Sequence, residues 1–252
     1  MSLASVVAVA LVPVATAEAQ ATIELAPVDP IVASGLIPLA TAEARGDIEP
    51  ARVGRMPVGW YALGTENGDY AAGTDLSRRD RGQGQRGATI HSRTTTPSSF
   101  ALLQQSIQAQ EFLGRRVRLS GFIKTAAGVP GDRWGSTAAL WMRVNGPSGS
   151  ESADYMNARP IRQDSDWTMY EVVLDVPRNA VGLTFGVLMS GPGQVWLDDM
   201  VLEDVGSDIA LTGGSFPDEI GAVARRRTQR TAYGEAPMSP VNLDFNRGTK
   251  IR

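Results

Sequence analysis

The chain has no cysteine, a single histidine, only two lysines (Lys124 and Lys250) and no long apolar run. Without cysteine there is no disulfide framework and no lipid-anchored N-terminal cysteine, so a folded domain here stands on its hydrophobic core. A single imidazole, His91, rules out three-histidine zinc sites. No Gly-x-Ser-x-Gly elbow accompanies it, and on a β-type run beside Ser92 and Arg93 it reads as a polar strand residue rather than a catalytic base. The formal net charge of -3 and a pI near 5.3 give no global field to hold nucleic acid or an anionic membrane, so neither is an expected partner. Lysine is so scarce that nearly all of the 24 cations are arginine, which presents a forked donor to anions. The apolar run Leu3 to Val14, about 12 residues with Pro13 inside it, is too short for a bilayer core of about 30 Å, so no membrane span is expected.

What is present divides the chain into four parts. Residues 1–21 join that run to Ala15-Thr16-Ala17-Glu18-Ala19-Gln20-Ala21, a small-x-small cleavage region, and read as a signal-peptide-like leader. The first basic residue is Arg45, so the basic segment of such a leader is missing and Met1 is expected to lie inside the true signal. The protein is then expected to be periplasmic or secreted. Residues 22–56, rich in Ala, Pro and Gly, read as a flexible linker.

Residues 57–206 carry short β-type runs separated by turn clusters: Gly59 to Leu63, Gly87 to Arg93, Phe100 to Ala109, Arg116 to Lys124, Thr137 to Val144, Trp167 to Val176, Val181 to Ser190 and Gln194 to Val205. Such spacing without helical periods predicts an all-β antiparallel sandwich or barrel, with a disordered leader and a short helical or irregular tail. Alternation assigns the faces. Val117, Leu119 and Ile123 point one way and Arg116, Arg118 and Lys124 the other; Leu140, Met142 and Val144 point inward with Trp141 and Arg143 opposite. Leu183, Phe185, Val187 and Met189 face together, while Gly182, Thr184, Gly186 and Ser190 leave room on the reverse for something to approach. Residues 207–252 form an Arg-rich tail, with a helix candidate over 216–230 that ends in Arg225, Arg226, Arg227 and Arg230, where the helix dipole favours cations.

The pieces Gly59-Trp60, Phe100 to Gln105, Gly114 to Gly121, Leu140 to Val144, Met156 to Ile161, Asp166-Trp167, Val172 to Pro177 and Gly193 to Asp199 together resemble jelly-roll modules of the galactose-binding-like, carbohydrate-binding type. In bacteria such modules accompany AraC-type regulators and C-terminal-processing peptidases. The resemblance implies the fold and a ligand surface for a glycan or small polar molecule. It does not imply a reaction, since fold does not carry activity with it. Related modules open with an Asn-x-x-Phe-Glu strand whose Glu, with an Asp near the last strand, often binds structural calcium. No such strand precedes Gly59. Its nearest match is Asn242-Leu243-Asp244-Phe245-Asn246, read either as the stub of a truncated second module, which is preferred, or as a late strand folded back beside the last one.

Asp198 and Asp199 fall where apolar parity shifts from Val195 and Leu197 to Met200 and Leu202, as at a bulge. The pair either holds the strand end through backbone hydrogen bonds or contributes to a calcium site; no other cofactor is expected. Ligand contacts are assigned to Trp134, Trp141 and Tyr155 as aromatic faces, with Arg143 and Arg159 for hydroxyls or a carboxylate, Trp141 and Arg143 being the preferred pair. Gly82-Gln83-Gly84-Gln85-Arg86-Gly87 spells the dinucleotide fingerprint but follows no strand and opens no helix, so the match is accidental. The preferred reading is a secreted non-catalytic binding module. Two others stay open: an enzyme on the same scaffold, of calcium-dependent lyase or cyclase type using Asp198 or Asp199, and a structural module docking onto an envelope protein through its Arg-rich tail.

Overall fold

The structure, a computed structural model, describes residues 52–65, 68–76, 87–127, 136–147, 149–162, 164–215 and 233–245. The strands are β1 (Tyr61–Leu63), β2 (Tyr70–Thr74), β3 (Ala88–Ser92), β4 (Phe100–Gln108), β5 (Arg116–Ala127), β6 (Thr137–Gly146), β7 (Gly149–Asp154), β8 (Ser165–Asp175), β9 (Gly182–Ser190), β10 (Gly193–Val205) and β11 (Gly214–Ser215). They form a six-stranded sheet ordered β1-β4-β9-β6-β7-β11 and a five-stranded sheet ordered β2-β3-β10-β5-β8. Pairing is antiparallel throughout, and the chain passes from one sheet to the other at every step except β2 to β3 and β6 to β7, as in a jelly roll. Among these residues no helix is long and apolar enough to cross a membrane.

The expected alternation holds. Val117, Leu119, Ile123, Leu140, Met142, Val144, Leu183, Phe185 and Val187 are fully buried between the sheets. Trp60 packs edge-on against Phe185 in the same core, with centroids 6.1 Å apart. The strands Tyr70–Thr74, Gly149–Asp154 and Gly214–Ser215 were not expected: the first and second are short and rich in small residues, and β11 is two residues long.

Two boundaries shift. Residues 52–56 belong to the sandwich rather than to a linker: Val53 bridges Asp75 and the Gly54 N–H donates to the Thr74 carbonyl. The sandwich likewise runs past residue 206, because β11 pairs with β7 and the Thr212 N–H donates to the Val173 carbonyl. The leader, the remainder of the linker, the fingerprint-like 82–87 and the helix candidate at 216–230 lie outside the described residues.

The preferred stub at the C-terminus is corrected. Residues 241–245 close the end of this sandwich instead of starting another. Phe245 is buried against Trp60, 4.9 Å between centroids, and Trp60 Nε1 donates to the Asn242 carbonyl at 3.2 Å. Gln105, fully buried, reads the backbone of Val241 with both ends of its amide, Nε2 donating to the carbonyl and Oε1 accepting from the N–H, each at 2.9 Å. The Met200 N–H, within the bulge of β10, donates to the Leu243 carbonyl. The segment is irregular, with Asn242 and Phe245 at φ of 54° and 53°, so it packs as a strap and not as a late strand.

Candidate functional site

The outer face of the six-stranded sheet is set by register. Arg143 on β6 lies opposite Thr184 on β9, and Thr184 opposite Ser106 on β4, so three strands place these side chains in one rung. Asn145 pairs with Gly182 in the next rung and Trp141 with Gly186 in the one before. Small residues at 182 and 186 leave the space foreseen from the sequence. At Gly182 it is taken by the chain itself: a Cβ there would sit 2.1 Å from the ring of Tyr233.

Tyr233 heads the strap and joins a chain of polar groups across four strands. Asn145 Nδ2 donates to the Tyr233 hydroxyl at 2.7 Å; that hydroxyl bonds Thr184 Oγ1 at 2.7 Å, Thr184 bonds Ser106 Oγ at 3.0 Å, and Ser106 bonds the Tyr61 hydroxyl at 2.7 Å. An amide NH₂ can only donate, so the arrangement that gives every hydrogen an acceptor runs from Asn145 through Tyr233, Thr184 and Ser106 to Tyr61. The exposed Tyr61 hydroxyl then ends the chain with its own O–H directed outward. Between this row and the strap lies an open groove of about 620 Å³, bounded by Tyr61, Ser106, Arg143, Asn145, Tyr233 and Glu235. That is the size of a small-ligand site. Gln108 fixes the strap wall, its Nε2 donating to the Ala236 carbonyl at 2.7 Å and its N–H to that of Pro237.

The residues assigned from sequence separate here. Arg143 lines the groove as expected. Trp141 shares its strand face but is only 2% exposed, stacked on Tyr155 at 5.4 Å with ring planes 16° apart, so it supports the floor and offers no open platform. Tyr155 covers it from the neighbouring strand edge. Arg159 is not on this face: it pairs with the buried Asp154 at 2.7 Å and donates to the Glu171 carbonyl at 3.0 Å, tying the two sheets together at their edge. Trp134 lies outside the described residues.

Asp198 and Asp199 form the expected bulge, where the register of β10 against β5 shifts between Asp198 and Val201. Asp198 Oδ1 accepts from the Asp199 N–H at 2.9 Å, and Asp199 takes φ of 46°. Among the described residues no group of three or more His, Asp or Glu side chains gathers as a metal site. The Asp198 carboxylate serves the backbone of the bulge, one of the two roles expected of the pair. His91 is half-buried on β3; burial first, and then the charge of Arg93, hold its imidazole below the usual range.

Sequence reasoning missed Tyr61, Ser106, Asn145 and Tyr233 as site residues. The small residues at 182, 184 and 186 were the available signal, but the approaching group lies 49 residues from Thr184 along the chain.

No family model matches the chain. It is 37% identical over 189 residues to an uncharacterised HTH-type transcriptional regulator, YbfP, of Bacillus subtilis (strain 168). The match covers 74% of this chain and 56% of the relative, so the chain spans just over half of that protein's length. Similar solved structures include the CBM22-1 xylan-binding domain of Paenibacillus barcinonensis Xyn10C, at 16% identity and TM-score 0.42 over 62% of this chain and 92% of that one. TmCBM61 in complex with β-1,4-galactotriose matches at 12% and 0.41, over 60% and 91%. An apo cyclase from Fischerella sp. matches at 13% and 0.43, over 61% and 86%. At these scores the likenesses carry no argument about ligand or residues.

Proposed function

We infer that the protein is a non-catalytic binding module that takes a carbohydrate or similar small polar ligand in the groove between Tyr61 and the strap. One observation carries this: a continuous row of hydroxyl and amide groups crosses four strands of the sheet beside the Arg143 guanidinium and borders a groove of about 620 Å³. Hydroxyl-bearing ligands exchange hydrogen bonds with water for equivalent ones here, while the strap's Ala236 and Pro237 offer apolar contact. A glycan array followed by calorimetry tests it. Binding is expected, and Tyr61→Ala, which removes an exposed hydroxyl at the end of the row, is expected to weaken it about tenfold. An array without hits, or a Tyr61→Ala variant that binds as wild type, would sink the reading.

Export of the module is part of the proposal, supported by the leader-like run Leu3 to Val14. Fractionation of the source cells checks it, with the protein found in the cytosol as the contrary result. The 37% identity to an HTH-type regulator supports a second reading, in which such a groove senses the ligand for a regulator. Ligand-dependent reporter expression with the chain intact, lost in Tyr61→Ala, would favour it.

A further inference from the structure

Resting on that groove reading, we propose that the ligand is an acidic sugar, a uronate, whose carboxylate is held by Arg143. Among the described residues Arg143 has no ion-pair partner, and its Nε is shielded from solvent with no hydrogen-bond partner. A half-buried guanidinium left in that state forgoes bonds it would have had with water, and such a group calls for an explanation. Two positions along the same face of β6, Trp141 Nε1 is likewise shielded and unpartnered. Both groups can only donate. Trp141 lies beneath the groove rather than in its lining, so Arg143 is the cation the groove presents, beside the Tyr61 hydroxyl that closes the neighbouring row with its hydrogen outward.

The chemical complement of such a cation is an anion with acceptor oxygens in a plane. A carboxylate meets the guanidinium fork in two parallel bonds, which a neutral hydroxyl cannot do. Glu235, exposed on the strap wall, sets the other requirement. It repels a second carboxylate and accepts from hydroxyls. A ligand with one carboxylate and several hydroxyls per unit satisfies both walls; a polycarboxylic acid does not.

The test is calorimetry of the full chain with oligosaccharides of alginate, galacturonan and glucuronoxylan, each beside its carboxyl-reduced counterpart, in wild type, Arg143→Gln and Arg143→Lys. At least one acidic series is expected to bind about tenfold or more tighter than its reduced form. Arg143→Gln is expected to erase that preference and Arg143→Lys to restore part of it, with melting curves little changed because Arg143 holds none of the described residues in place. Equal binding of acidic and reduced forms, or a preference that survives Arg143→Gln, overturns the uronate assignment and leaves the groove standing. Absence of binding by every acidic series also overturns it, whereas array hits on neutral glycans would still support the groove itself.

Discussion

The outer faces of the two sheets treat charge in opposite ways. On the five-stranded sheet cations face carboxylates across the strands: Arg116 grips Asp175 with Nε at 2.8 Å and Nη2 at 3.0 Å, Arg118 meets Glu203 at 2.7 Å with Glu171 at 3.7 Å, and Lys124 reaches Asp166 at 3.1 Å. The Arg116–Asp175 pair records it in the proton affinity of both partners. Arg116 raises its hold on its proton through Asp175, and Asp175 is pulled below the usual carboxylate range chiefly by its hydrogen bond to Arg116. On the six-stranded sheet the neutral groups satisfy one another, while Arg143 lines the groove without an ion pair to any of the described residues, Glu235 across the groove included. A face whose charges are matched internally has little to offer a ligand. A face with an unmatched cation beside an open volume does, and the contrast locates function more sharply than the number of aromatic residues.

The strap makes the second face, so removing its anchor should break the comparison most severely. Phe245→Ala empties a buried site against Trp60 and is expected to cost about 3–5 kcal/mol in chemical denaturation, with loss of ligand binding as the strap lifts from β4 and β9. A smaller effect would mean that Val241 and Tyr233 hold the strap without it.

The next contrast has opposite signs on the two faces. Arg118→Met leaves Glu203 and Glu171 facing without their shared cation and should destabilise by up to about 1 kcal/mol, since exposed pairs are worth little. Arg143→Met removes a guanidinium that pairs with none of the described residues and is expected to be neutral or stabilising by up to about 1 kcal/mol, while the preference for the acidic ligand is lost. Thermal melts of the two variants side by side measure both signs, and equal destabilisation would erase the distinction between the faces.

The smallest effect is in acid. Asp175 and Asp166 both have folded-state values below the ordinary carboxylate value of 3.8, the latter through the Trp167 N–H and Lys124. A lowered folded value means that the unfolded chain binds the proton more readily. The stability from these pairs is therefore present above pH of about 4 and fades as pH falls through the folded values. Both carboxylates are largely exposed, so the loss should be shallow. Asp175→Asn should flatten its share in melts between neutral pH and pH 3, and an unchanged slope would contradict the pairing.

Much of the fold was legible because a sandwich strand exposes its pattern locally: Leu140-Trp141-Met142-Arg143-Val144 announces both its strand and its two faces. The bulge at Asp198 and Asp199 was legible for the same reason, as a break in parity. The site was legible in part. Arg143 and the small residues of β9 mark the right face, but the face alone does not say what fills it. Tyr233 enters through Gly182, Trp141 disappears under Tyr155, and Arg159 is drawn off to Asp154, all by contacts between segments distant in sequence or across neighbouring strands.

The sequence by itself determined that this is an antiparallel β-sandwich with these inward and outward residues, because the period of two is written into each strand. Only the tertiary structure decided that residues 241–245 belong to this sandwich and that its groove lies between Tyr61 and Tyr233. Strap docking depends on Gln105 and Trp60 meeting a backbone more than 130 residues away, a match of shape and hydrogen bonds that no local pattern encodes.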